Sequence, residues 1–116
     1  LANGVLEAAA ASLEASPQDV LVWFGPAIGP NAFEVGAEVR EAFLSQQSHA
    51  QIAFKPSHNA GRFMADIYQL ARLRLEAIGI DAIYGGGLCT YTDTERFYSY
   101  RRSSQAGRLA SLVWLI

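Results

Sequence analysis

The sequence predicts an α+β fold with a mixed sheet. Helical and extended patterns alternate along the chain, the extended runs are short, and the last two, joined by a polar turn, have antiparallel hairpin character. With 116 residues, 51% apolar and 17% charged, the chain has the size of about one domain and enough apolar side chains for a packed core.

The elements follow in order. Leu1 to Ala15 predicts a helix, because Leu1, Val5, Ala9 and Leu13 recur every four residues and Leu6 widens the stripe. Ser16-Pro17 ends it, since the residue before proline avoids helical geometry. Val20 to Phe24 is a continuous apolar run, read as a strand buried on both faces. Gly25-Pro26-Ala27-Ile28-Gly29-Pro30 sets an irregular loop. Phe33 to Val35 reads as a short extended piece, and Gly36 to Ser45 as a helix with Val39 and Phe43 inward. Ala50 to Phe54 alternates weakly and reads as a strand, followed by a loop from Pro56 in which Asn59 suits a helix N-cap.

Arg62 to Ile78 carries the strongest helical pattern, with Phe63, Met64, Ile67, Leu70, Ala71, Leu75 and Ile78 on one broad face. Arg74 falls inside that face, so it is expected to snorkel or pair with a carboxylate. Gly79 suits the position after a helix. Ile80 to Tyr84 predicts a strand, Gly85-Gly86-Gly87 a turn, and Thr92-Asp93-Thr94-Glu95 has capping-box spacing. Phe97 to Arg101 and Leu109 to Ile116 complete the set as two strands.

The bulk numbers exclude several classes. A net charge of −2 argues against a general nucleic-acid binder, which needs surplus Lys and Arg. One cysteine, Cys89, rules out an intrachain disulfide and fits a reducing cytosol. No apolar run reaches the roughly 20 residues of a membrane helix, and no secretory signal is visible. A cytoplasmic protein with no membrane partner is expected. The helical pattern beginning at Leu1 suggests missing upstream sequence, with a processed N-terminus as the other reading. The apolar ending suggests a buried final strand.

Taken alone, the chemistry-bearing residues give no complete catalytic set. His49 and His58 lie in polar stretches without the paired spacing of zinc ligands, and read as exposed loop residues. Cys89 has no histidine near it in sequence and reads as a structural thiol; a cysteine hydrolase would need the fold to bring a histidine to it. The Gly25 to Pro30 loop matches neither a phosphate loop nor a dinucleotide fingerprint, leaving a structural connection or a pocket wall. Arg101, Arg102 and Arg108 either hold phosphate or pair with Glu34, Glu38 or Glu95. Tyr91, Phe97, Tyr98 and Tyr100 lie near them and suit stacking on a purine or burial in a core.

Four stretches together resemble the bacterial YfiH-type laccase-domain family, also called polyphenol oxidase or peptidoglycan editing factor. They are Gly25-Pro26-Ala27-Ile28-Gly29-Pro30 with Phe33-Glu34-Val35-Gly36 and Val39; Asp66-Ile67-Tyr68-Gln69-Leu70-Ala71 with Leu75 and Gly79-Ile80; Cys89-Thr90 with Phe97-Tyr98-Ser99-Tyr100-Arg101-Arg102; and Gly107-Arg108 with the apolar ending. Order and spacing run across nearly the whole chain. The resemblance makes residues 1–116 the C-terminal portion of a single laccase-like domain. It implies a mixed-sheet α/β sandwich of the cytotoxic necrotizing factor type, incomplete at the N-terminus.

It further implies a purine nucleoside phosphorylase acting on adenosine, inosine and methylthioadenosine with phosphate, with some adenosine deamination. Zinc would be held by a cysteine and two histidines upstream of Leu1, so no metal ligand falls in this chain and the piece alone is expected to be inactive. Cys89 matches the family's Cys-Thr position and not its metal-binding cysteine. The partners implied are the nucleoside, phosphate and the missing N-terminal half. Motif position makes Ile28 and Gly29 pocket walls, Arg101 a phosphate contact and Ser99 a nearby hydrogen-bonding group. The alternatives are a copper-dependent polyphenol oxidase, which two scattered histidines do not supply, and a non-catalytic peptidoglycan-precursor editing or interaction domain.

Overall fold

The computed structural model describes residues 1–114 and 116. Helix α1 (Val5–Ser12) is followed by a 3-10 turn (Pro17–Asp19), β1 (Val22–Phe24), β2 (Glu34–Gly36), α2 (Ala37–Leu44) and a second 3-10 turn (Ser48–Ala53). Then come β3 (Phe54–Pro56), β4 (Arg62–Ala65), α3 (Ile67–Ala77) and β5 (Ile83–Gly85). The strands form two sheets. β1 and β5 pair in parallel, and β2-β4-β3 is antiparallel with β4 in the centre. The fold is α+β with a mixture of parallel and antiparallel pairing, as expected.

Helix α3 lies between two cores. Leu70 and Leu73 pack with Val35, Phe43, Phe54 and Ala65 of the three-stranded sheet and α2. Leu75, nearly opposite on the helix, packs with Val20, Ile80 and Ile83, where Leu6 and Ala10 of α1 close the layer. Arg74 pairs with Glu7 of α1, as its place on an apolar face required. Glu7 is held below its ordinary pKa: burial opposes the charge, and the bond from Arg74 outweighs that cost together with its positive field.

Several sequence expectations are corrected. The run predicted as one helix from Arg62 to Ile78 is a strand and then a helix. Arg62–Ala65 pairs on both sides, with Glu34↔Met64 to one neighbour and Phe54↔Ala65 to the other. As the central strand, β4 has a neighbour on each side to pair with, so tertiary pairing overrides the helical wheel. Asp66 marks the switch: its backbone is extended and its carboxylate accepts the Gln69 N–H at 3.0 Å. The N-cap is therefore Asp66 and not Asn59, which sits in the β3–β4 turn and donates its side chain to Glu34.

Helix α1 starts at Val5, because Gly4 is left-handed at φ 85, and it ends before Ala15. Ala50 to Ala53 lies in a 3-10 turn, and only Phe54 joins the strand. β1 is covered on one face only. Val22 and its register partner Ile83 face the core, while Leu21, Trp23 and Tyr84 are exposed. The expected strands Phe97 to Arg101 and Leu109 to Ile116 do not form among the described residues. The first is a series of turns. In the second, Leu112, Val113 and Trp114 are exposed rather than buried, and Leu115 lies outside the described residues. Asp93, not Thr92, caps its turn, accepting the Arg96 N–H at 3.0 Å.

Two backbone positions depend on glycine. Gly79 closes α3 at φ 88, as predicted. Gly85 has φ 84, and a Cβ there would lie 2.5 Å from the Phe24 carbonyl oxygen. Any side chain at Gly85 would push β5 away from β1.

The cap gives a stability test. Asp66→Ala is expected to lower unfolding free energy by about 1 kcal/mol in urea denaturation, whereas Asp66→Asn stays within a few tenths, because asparagine caps as well as aspartate. Equal losses for both would show that the charge, and not the cap, holds the junction.

Candidate functional site

Two loops, from Gly25 to Pro30 and from Gly85 to Thr92, meet over the first turns of α3. Tyr68 ties them. Its hydroxyl accepts the Ala27 N–H at 2.8 Å and donates to the Leu88 carbonyl at 2.8 Å. Thr90 N–H donates to the Ala27 carbonyl at 2.9 Å, and Gly29 N–H donates to the Cys89 Sγ at 3.2 Å. Backbone groups that lie outside any sheet are thus paired across the two loops, which fixes their separation.

Beneath them runs a cleft of about 530 Å³, lined by Gly29, Asn31, Asp66, Gln69, Arg72 and Cys89 among others. A second hollow of about 520 Å³ shares Pro30, Asn31, Asp66 and Gln69 and extends to Lys55 and His58. Each has the size of a small-molecule site. Asp66, Gln69 and Arg72 are three residues apart, so α3 presents them along one face.

Cys89 is half-buried rather than sealed in the core. Burial raises its pKa, but the Thr92 hydroxyl and the N–H groups of Gly29, Thr92 and Tyr91 bring it down to about 7. No histidine lines this cleft, so the residues that suit a hydrolase base are not brought to the thiol. His58 lies at the far end of the second hollow, and His49 is exposed.

The four residues singled out by motif position divide between two hollows. Gly29 is buried and lines the cleft beside Cys89. Ile28, Ser99 and Arg101 line a shallower groove of about 330 Å³ on the other side of the same loop, with Phe33, Tyr98 and Tyr100. Ser99 is buried, and its hydroxyl accepts the Arg102 N–H at 3.3 Å.

The arginines make no pair with Glu34, Glu38 or Glu95. Arg101 donates to the Glu34 carbonyl at 2.7 Å and lies over the Phe33 ring, 5.3 Å from its centroid. Arg102 donates to the carbonyls of Thr90, Tyr91 and Phe97, and Arg108 to that of Ala106. Carbonyls of the loops, and for Arg101 that of Glu34 in β2, take the guanidinium donors. The Glu34 carboxylate is instead held by Ser57, Asn59 and Arg62, in that order of effect, and sits below its ordinary pKa.

Sequence reading missed Asn31, Asp66, Tyr68, Gln69 and Arg72 as site residues. The signal for three of them was the i, i+3, i+6 polar stripe within an apolar helix, visible once Asp66 is recognised as the cap.

The thiol supplies a test. Alkylation of Cys89 by iodoacetamide is expected to rise with pH around a midpoint near 7. Thr92→Val should move that midpoint up toward the ordinary thiol value of about 8.5. Because the folded pKa is depressed, the same donors stabilise the fold fully above the unfolded thiol's pKa, and this contribution is lost as pH falls through about 7. An unchanged midpoint in the variant would remove the Thr92 hydroxyl as a cause.

Among the described residues no group of three or more His, Cys, Asp or Glu is placed to hold a metal ion, and no helix is long and apolar enough to cross a membrane. The family model for multi-copper polyphenol oxidoreductase laccase matches residues 1–116. A purine nucleoside phosphorylase of Pseudomonas aeruginosa is 64% identical over 115 residues, covering 99% of this chain and 48% of the relative. Purine nucleoside phosphorylase YfiH of Escherichia coli is 51% identical over 116 residues, covering 100% of this chain and 47% of the relative.

Among solved structures, a Neisseria meningitidis protein superposes with TM-score 0.83 at 42% identity, covering 87% of this chain and 41% of its own. A Bacillus licheniformis protein, YfiH, gives TM-score 0.71 at 25% identity over 87% of this chain and 39% of its own. The chain thus spans about half the length of the curated relatives it matches. On the match of its whole length and the motifs that run through it, the chain belongs to the multi-copper polyphenol oxidoreductase laccase family, in its YfiH-type branch.

Proposed function

We propose that this chain is one half of a purine nucleoside phosphorylase, and that it supplies cleft walls while an upstream half supplies a zinc centre. The observation that carries the reading is the identity of 64% and 51%, over essentially the whole chain, to proteins named for that activity. The exposed Leu21, Trp23 and Tyr84 on the two-stranded sheet support it, since two paired strands are marginal alone and an apolar face of this kind suits cover by further chain. Among the described residues no cluster fits a metal site, so no step of the chemistry is assigned to a metal on them.

Phosphorolysis of adenosine, inosine or methylthioadenosine needs a slot for the nucleoside and cationic donors for phosphate. Ile28 and Gly29 wall the two hollows from opposite sides of one loop. Phosphate has two candidates: Arg101, with Ser99 near it, and the Lys55–His58 end of the cleft. Arg101 keeps guanidinium donors beyond the one given to Glu34. Phenol oxidation by copper is the second reading, favoured by the family's description. It asks for several histidines around copper, and the chain has two, His49 and His58. A cytoplasmic location goes with the nucleoside reading.

The test uses the protein at its full length. Base release from inosine should require phosphate, fall on chelation and return with zinc. Release without phosphate, or oxidation of a phenol with copper and no base release, would overturn the proposal. In the same assay Arg101→Ala and Lys55→Ala separate the phosphate candidates. The residue that holds phosphate should raise its KM by about tenfold, the size expected for one charged hydrogen bond, with the nucleoside KM unchanged. If neither does, neither Arg101 nor Lys55 holds phosphate.

A further inference from the structure

We propose that Asn31, Asp66 and Gln69 form a subsite for the vicinal hydroxyls of a sugar, the ribose of the nucleoside if the reading above holds. The three residues are shared by both hollows, so they form the saddle between the Arg72–Cys89 end and the Lys55–His58 end. A nucleoside bridging the two would carry its sugar over them.

The donor and acceptor inventory fits hydroxyls. Asp66 spends Oδ1 on the Gln69 N–H, which fixes the carboxylate, and Oδ2 has no protein partner among the described residues. The carboxamides of Asn31, exposed, and Gln69, half-buried, line the same two hollows. A sugar hydroxyl donates one hydrogen and accepts others. A fixed carboxylate flanked by two carboxamides offers an acceptor for each donated hydrogen and amide donors in return. An anion would be repelled by Asp66. The Tyr68 hydroxyl is fully engaged by Ala27 and Leu88, so it lends rigidity and not recognition.

Asp66→Asn removes the charge and keeps the cap, and Gln69→Leu removes the amide at similar size. The experiment measures binding of inosine, 2′-deoxyinosine, 3′-deoxyinosine and hypoxanthine to the full-length protein and both variants, by calorimetry and saturation-transfer NMR. The wild type should bind inosine about tenfold more tightly than either deoxy analogue. In the variants that preference should shrink to about twofold, with hypoxanthine binding unchanged as the sign of an intact fold. A preference kept in both variants, an equal loss of hypoxanthine, or no preference in the wild type would overturn the subsite. Ribose-dependent binding without phosphorolysis would leave the subsite standing and remove the phosphorylase reading. Phosphorolysis with the preference kept in both variants would do the reverse.

Discussion

The structure depends on one helix having no free side. α3 faces the three-stranded sheet with Leu70 and Leu73, the layer of α1 and the parallel sheet with Leu75, and α1 with Arg74. The remaining face carries Gln69 and Arg72, with the Asp66 cap at its start, and it is the face the two loops cover. An apolar residue there would face the cleft rather than either packed core. Polar residues on this stripe are what allow a cleft to persist beside two packed cores.

The loops in turn are held by bonds that are individually modest. Tyr68 bridges Ala27 and Leu88, Thr90 reaches Ala27, and Gly29 reaches Cys89. Each bond contributes roughly 1 kcal/mol, while each group left unpaired in a closed loop costs more. The set therefore acts as a unit, and the close approach at Gly85 lets the second loop leave the sheet where it does. Only the Gly29 N–H belongs both to this set and to the donors that lower the Cys89 pKa, so that one bond links the thiol to the shape of the cleft.

Legibility in the sequence followed the range of the interactions. Local signals were readable: the Gly25 to Pro30 loop, the stop at Gly79, the helix at Ala37–Leu44 and the need of Arg74 for a carboxylate. Non-local pairing was not. Phe63 and Met64 fit a helical wheel as well as a strand, and only the presence of β2 and β3 on either side decides for the strand. Val20 to Phe24 has no polar residue to show which face is uncovered, so alternation was invisible there. Arg101, Arg102 and Arg108 were visible as a basic group, but their carbonyl partners come from loops whose courses no local pattern records.

In the reading proposed above, this chain contributes recognition of the sugar. Its polar groups in the cleft are hydrogen-bonding side chains at the rim of a rigid helix, and no metal-binding cluster forms among the described residues. Rigidity suits that task. The cap fixes the Asp66 carboxylate and two cores hold the helix that carries Gln69, so part of the ordering cost of binding is met before any ligand arrives. On that reading the reactive groups fall to the upstream half proposed above.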